Sequence, residues 1–192
     1  MTAPATKIHH RESKFHQLLQ EQIRNEFNSF QQYTALAVWF DDEDLPQLAR
    51  HFYRQALEER NHAMMIVQYL LDNNIKPSIP GIDPVRNEFG ETRELVSLAL
   101  EQEREVTRQI EHLARTAREE GDYLGEQFMH WFLQEQVEEV AQMLTLLNVV
   151  DRAKGNLFDV ENHLARETVG DQEPDATAPR VAGGALRSGA AG

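Results

Sequence analysis

The chain of 192 residues is 41% hydrophobic and 27% charged, which suits one globular domain and is too polar for a membrane protein. Its formal charge of −13 argues against nucleic acid as the main partner and favours cations, although acidity alone also serves solubility. There is no cysteine, no run of eighteen apolar residues and no apolar start typical of a secretory signal. We therefore expect a cytoplasmic protein without a membrane span, in which nitrogen and oxygen atoms hold any metal.

The first predicted helix carries a carboxylate on its apolar face. Residues 1–12 have no periodicity and are predicted to be a flexible arm. Ser13 is the predicted N-cap of a helix that runs to about Phe40, and Glu26 lies on its inward stripe. After an acidic turn, Asp44 and Pro46 are typical of the start of a second helix.

The second predicted helix, residues 45–71, places a glutamate at a core position. Its stripe at helical spacing is Leu45, Leu48, Phe52, Ala56, Glu59, Ala63, Ile66 and Leu70. His62 projects from the same face as Glu59, one turn later. Because a buried carboxylate costs several kcal/mol without a partner, Glu59 requires a cation or a hydrogen-bond donor.

Residues 73–91 contain three prolines and two glycines and cannot form a regular helix. A loop of this length in a compact domain needs a reason. We interpret it as a crossover along the bundle, which makes the third helix parallel to the second.

Two further long helices and a short one complete the prediction. The third is capped by Thr92, runs to about residue 120 and carries Glu103 on its stripe. The fourth spans about 123–150, with Leu124 at the start of its inward stripe. Its stripe is interrupted by a polar patch of Glu135, Gln136, Glu138 and Glu139. A fifth helix, about 157–168 after Asn156, should contact a neighbouring subunit, and residues 170–192 should be a disordered tail.

Each of the four long helices thus carries a carboxylate near the middle of its apolar stripe. These residues are Glu26, Glu59, Glu103 and Glu139. Any one of them alone would more simply lie on a solvated face, but four at one level of one bundle indicate a common site. Converging carboxylates repel one another unless divalent cations neutralise them. Four Glu, one His and no Cys suit iron or manganese, and bridging carboxylates would hold two ions about 4 Å apart.

The segments QEQIRNEFNSFQQY, YRQALEERNHAMM and WFLQEQVEEV resemble the ferritin family, in particular the bacterial non-haem ferritins of actinobacterial type. The resemblance covers residues 13–168. It implies an all-α, ferritin-like four-helix bundle over residues 13–169, with a long crossover between helices 2 and 3 and a short fifth C-terminal helix. It also implies a ferroxidase centre, with Glu26, Glu59 and His62 at one iron and Glu59, Glu103 and Glu139 at a second, beside Gln136.

The resemblance extends to residues around this centre. Glu58, Glu135 and Glu138, with Glu139, resemble a third iron site. Tyr33 and Trp131 lie where the family keeps redox-active aromatics, although plain core packing explains both equally well.

Two departures from the haem-binding relatives point to a protein without haem. This chain has Gln136-x-x-Glu139 where bacterioferritins have a second Glu-x-x-His, and Arg60 where they have a haem-binding methionine. Met64 and Met65 are interpreted as core filler.

The resemblance implies iron storage with ferroxidase activity in a twenty-four-subunit homo-oligomeric cage that uses dioxygen or hydrogen peroxide as oxidant. A different di-iron oxidoreductase and a metal-free helical assembly protein stay open as alternatives. Asp122 and Glu126 could line an entry pore for the cation. The tail motif GGALRSG faintly resembles peptides that direct cargo into protein shells, but a bare linker fits its composition better.

Overall fold

The computed structural model describes residues 13–167 and 175–185, and within these ranges it contains helices and no β-strand. The helices are α1 (Lys14–Asp42), α2 (Pro46–Asp72), α3 (Thr92–Glu119), α4 (Tyr123–Ala153) and α5 (Leu157–Glu167). The predicted all-α class, the four long helices and the short fifth are confirmed. The predicted arm at 1–12 lies outside the described residues.

The four long helices form two antiparallel pairs. The most extensive contacts join α1 to α2 and α3 to α4, while α5 lies against α2 and α4. Only a few residues separate the partners within each pair, so the chain must reverse direction. Asp44 (φ 57°) and Gly121 (φ 71°) take the left-handed conformation in these two turns.

The crossover is held on α1 by a ladder of side-chain amides. Gln20 accepts from the Ser78 N–H, and Asn28 accepts from the Asp83 N–H, each at 2.9 Å. Gln32 accepts from the Arg86 N–H at 2.9 Å and donates to the Arg86 carbonyl at 2.8 Å. Residue numbers rise together along α1 and the crossover, so the segment runs the same way as α1. It therefore delivers α3 parallel to α2, as predicted.

Two apolar clusters fill the bundle, one on each side of the carboxylate level. One cluster takes residues 15–23 of α1 and 129–132 of α4, and the other takes residues 33–40 and 143–150 of the same helices. On every long helix the predicted inward glutamate lies between the two clusters. A buried polar layer thus interrupts the core at mid-length.

The helix starts agree only partly with the prediction. Ser13 caps α1 by accepting from the His16 N–H at 3.2 Å, as predicted. The second helix begins at Pro46, as the Asp44 and Pro46 signal predicted, but Thr92 is the first residue of α3 rather than its cap. At α2 the orphan N–H groups of residues 47 and 48 donate instead to the Glu161 carboxylate of α5, both at 2.9 Å.

Two predicted packing surfaces are wrong. Leu124 is 73% exposed, because Gly125 takes the inward position and lies close against the Phe15 ring. In α5, Val160 and Leu164 are buried in the bundle's own core rather than reserved for a neighbouring subunit. Phe158, by contrast, is 80% exposed.

Residues 175–185 are not the disordered segment that composition predicted. The Ala182 N–H donates to the Met64 carbonyl at 3.1 Å, and Arg180 pairs with Asp72 at 2.6 Å. Ala182 is buried in the apolar cluster that contains Phe15 and Phe132. This segment, which contains two turns, therefore packs on the bundle as a strap, while residues 168–174 and 186–192 lie outside the described parts of the chain.

Candidate metal centre

Glu26 of α1 and Glu59 and His62 of α2 form the centre of the polar layer. Ligand atoms of the three side chains all lie within 4.8 Å of one another, and each residue is at most 3% exposed. The helical spacing of Glu59 and His62 puts both on one face of α2, and the α1–α2 pairing brings Glu26 to them. Across residues 13–167 and 175–185, no second set of three such side chains meets this distance.

The carboxylates of this layer are short of hydrogen bonds. Glu26 Oε2, Glu103 Oε2 and both oxygens of Glu59 are buried with no hydrogen-bond partner in the described residues. The His62 ring lies beside Glu59, with Nδ1 at 3.7 Å from Oε2. Buried acceptors of this kind are costly unless a cation engages them, so this donor set fits a hard or borderline divalent metal.

Burial and mutual repulsion raise the pKa of three carboxyl groups in this layer. Burial, followed by the Glu103 and Glu26 charges, raises the pKa of Glu59 well above its ordinary value. Burial and the same neighbour Glu103 likewise raise the pKa of Glu139. Burial also raises the pKa of Glu103 to about 7, although a hydrogen bond from Tyr33 opposes that shift. A divalent cation would favour the ionised form of these carboxyl groups and so would oppose the upward pKa shifts.

Glu103 of α3 and Gln136 of α4 lie beside the cluster and are held by hydroxyl groups. The Tyr33 hydroxyl donates to the Glu103 carboxylate. The Thr107 hydroxyl lies within hydrogen-bond distance of two acceptors, Gln136 Oε1 at 3.0 Å and the Glu103 carbonyl at 2.8 Å. Tyr33, Glu103 and Gln136 are all buried, as predicted for inward positions.

Glu139 of α4 is buried in the same layer but is turned to a different partner. Its two oxygens accept from Gln55 Nε2 at 3.3 and 3.1 Å. Gln55 also donates to the half-buried Glu58. Sequence reasoning missed Gln55, because its place beside the predicted stripe gave no signal of burial, yet the residue is 0% exposed.

The predicted third site is a looser arrangement. Glu58 and Glu135 are half-buried and Glu138 is exposed; the Glu58 and Glu138 charges act on Glu135, and the Glu58 charge also acts on Glu139. Burial is the largest effect on Glu58 and Glu135 and raises the pKa of both.

Trp131 links the polar layer to the strap of residues 175–185. Its ring packs edge-on against the His62 ring with centroids 5.7 Å apart. Its indole N–H donates to Asp175 at 2.8 Å. Trp131 is thus fixed from both sides, one of which is the strap.

Other predicted residues have ordinary partners. Asp122 caps α4 by accepting from the Gly125 N–H at 2.8 Å, and Glu126 pairs with Arg118 at 2.6 Å. Arg60 donates to Asn61 at 3.2 Å. The methionines at 64 and 65 pack in or against the apolar cluster that contains Phe15 and Phe132, as predicted.

No helix in the described parts of the chain is long and apolar enough to cross a membrane.

A four-helix bundle with inward glutamates from every helix and a Glu-x-x-His pair is typical of ferritin-like carboxylate proteins. A model of the ferritin family, described as a ferritin-like domain, matches residues 16–153. The chain is 63% identical over 175 residues to Ferritin BfrB of Mycolicibacterium smegmatis, covering 91% of this chain and 96% of that protein. It is 62% identical over 175 residues to Bacterioferritin BfrB of Mycobacterium tuberculosis, with the same coverage. The protein therefore belongs to the ferritin family.

More distant relatives share the fold. Identity to a bacterial non-heme ferritin of Staphylococcus aureus is 34% over 134 residues, covering 70% of this chain and 81% of that protein. The open pore ferritin of Archaeoglobus fulgidus superposes with a TM-score of 0.77 at 24% identity, over 79% of this chain and 94% of that one. A humanized archaeal ferritin gives 0.80 at 23% identity, over 86% and 100%.

Proposed function

We propose that this protein oxidises Fe(II) to Fe(III) and stores the product as a mineral inside a shell of its own subunits. The observation that carries the proposal is the buried cluster of Glu26, Glu59 and His62, whose carboxylates leave oxygens without partners. Such a cluster is stabilised by divalent cations, and membership of the ferritin family favours iron as the cation.

Two Fe(II) ions are the substrates at this site. Glu26, Glu59 and His62 would hold one, and Glu59, Glu103 and Glu139 would hold the other, beside Gln136. Each Fe(II) gives up one electron, and dioxygen or hydrogen peroxide accepts the pair. The oxygen-rich ligands favour the product, because the more highly charged Fe(III) gains more from carboxylates than Fe(II) does.

Tyr33 and Trp131 would serve as the aromatics of this centre. Tyr33 is buried and donates to Glu103, and Trp131 touches the His62 ring. These contacts support a role for either residue in electron supply, since each reaches a proposed ligand directly.

Several finer features complete the proposal. The shell contains twenty-four subunits, forms in the cytoplasm and carries no haem, because Arg60 replaces the methionine ligand. A third iron binds at Glu58, Glu135, Glu138 and Glu139. Asp122 and Glu126 attract Fe(II) at an entry pore. The ferritin-like domain spans residues 13–169, and the GGALRSG segment beyond it is a linker rather than a shell-directing peptide.

The test compares Fe(II) oxidation by the native chain with that of Glu59→Gln and Glu105→Gln. Both changes replace one carboxylate by a neutral group of the same shape. Glu105 is an exposed residue of α3 that pairs with Arg108, so it serves as the matched control. Oxidation is followed by ultraviolet absorbance after anaerobic protein is mixed with Fe(II) and air.

We expect fast oxidation by the native chain and the Glu105 variant and a loss of about a hundredfold in the Glu59 variant, since Glu59 would serve both ions. Equal slow rates in all three proteins would reject the ferroxidase function. Native mass spectrometry separates the cage from a smaller di-iron enzyme. Absence of any bound iron would favour the metal-free assembly protein.

A further inference from the structure

Two buried glutamines occupy equivalent places on α1 and α2. Gln22 precedes Glu26 by four residues, and Gln55 precedes Glu59 by four residues. Gln22 is 2% exposed and Gln55 is 0% exposed. Both therefore belong to the polar layer, although neither is a charged group.

The two side-chain amides donate hydrogen bonds to different acceptors. Gln22 donates along its own helix to Glu26 Oε1 at 2.9 Å. Gln55 does not donate to the equivalent Glu59; it reaches across the bundle to both oxygens of Glu139 at 3.1 and 3.3 Å. Gln22 thus orients a carboxylate of α1, whereas Gln55 orients a carboxylate of α4.

We propose that Gln22 and Gln55 are positioning residues for different metal ions, Gln22 for the ion at Glu26 and Gln55 for the ion at Glu139. The proposal rests on the two-ion site proposed above. Neither amide needs to touch a metal, since each acts through the carboxylate that it orients. Amide donors that fix a ligand carboxylate commonly contribute 10- to 100-fold in metal affinity.

The position of Glu139 makes this role specific. The ligand atoms of Glu26, Glu59 and His62 come within 4.8 Å of one another without Glu139. Gln55 holds Glu139 through both oxygens and also donates to Glu58. The amide therefore decides where the one α4 carboxylate of the layer lies before a second ion arrives.

Stability alone does not account for Gln55. Its Oε1 atom is buried with no hydrogen-bond partner in the described residues, which is a cost that an apolar side chain would avoid. Methionine has nearly the same length and volume as glutamine and lacks this unpaired acceptor. Gln55→Met should thus leave the fold intact while it removes the donor.

The experiment titrates metal-free protein with Zn(II) by calorimetry and with Co(II) by visible absorbance, which reports the ligand geometry. Neither ion is oxidised, so the readout does not depend on activity. The proteins are the native cage, Gln22→Met and Gln55→Met, with assembly checked by native mass and helicity by circular dichroism. Each is also titrated in a Glu139→Gln background.

For the native cage we expect two binding steps. Gln55→Met should weaken the second step about tenfold or more and change the Co(II) spectrum of that step, while the first step stays within about twofold. Gln22→Met should do the reverse. In the Glu139→Gln background, Gln55→Met should cause no further loss, because its acceptor is already changed.

The outcomes separate this inference from the function on which it rests. A native cage that binds no ion rejects the two-ion site itself. Two native steps that Gln55→Met leaves unchanged, or weakens equally with a lower unfolding temperature, reject the positioning role alone. If Gln55→Met does not assemble, a crystal structure of the native cage with Co(II) decides: Gln55 Nε2 must remain within hydrogen-bond distance of Glu139.

Discussion

Neutralising Glu103 should stabilise the metal-free protein in a pH-dependent way. Glu103 is 1% exposed, and burial raises its pKa from 4.5 to about 7. A carboxyl group whose pKa is raised by folding costs no stability below its unfolded pKa and an increasing amount as the pH rises towards the folded value. With each pH unit worth about 1.4 kcal/mol, the charge costs about 3 kcal/mol at pH 8 and less than about 1 kcal/mol at pH 5.

The perturbation is Glu103→Gln, which removes the charge and keeps an oxygen that can accept from Tyr33. We expect the variant to be more stable than the native chain by about 3 kcal/mol at pH 8 and by less than about 1 kcal/mol at pH 5. Guanidinium unfolding of metal-free protein, followed by circular dichroism at a fixed subunit concentration, measures both differences.

The control is Glu105→Gln, two residues along the same helix. A hydrogen bond from Arg108 lowers the pKa of this exposed carboxylate, so no gain at pH 8 is expected. Two results would refute the claim that the buried Glu103 charge destabilises the metal-free protein. One is that Glu103→Gln stabilises the protein equally at both pH values, and the other is that the variant is less stable than the native chain at pH 8.

Two further predictions concern the packing around the site. Gly125→Ala should destabilise the protein by about 1 to 2 kcal/mol in thermal unfolding, because the new Cβ would lie 2.4 Å from the Phe15 ring. A second change, Phe15→Leu, should recover part of the lost stability. If Gly125→Ala alone made the protein more stable, the Phe15 ring would not lie as close to residue 125 as the structure shows. Asp175→Ala should change the emission of Trp131, measured with Trp39→Phe, because the indole N–H loses its acceptor. An unchanged spectrum would mean that the strap does not hold Trp131 in solution.

The helices and the inward glutamates were predictable because both depend on local geometry. A period of 3.6 residues follows from the backbone itself, so apolar spacing predicted every helix to within a few residues. The same spacing exposed Glu26, Glu59 and Glu103 as interruptions of a core stripe, and each is buried. The proline-rich crossover was equally predictable from the sequence, since proline and glycine exclude a regular helix.

Contacts between distant segments decided the rest. No local pattern distinguishes the buried Gln55 from a solvated glutamine, because its burial depends on how α2 is rotated towards α4. The rotation of α4 likewise put Gly125 inward in place of Leu124. The strap shows the same limit: its composition predicts disorder, yet Ala182 finds a place on the bundle that only the assembled helices provide. The sequence by itself determined which residues form helices and which charges lie on their apolar faces, whereas the tertiary structure alone determined which partners those buried polar groups meet.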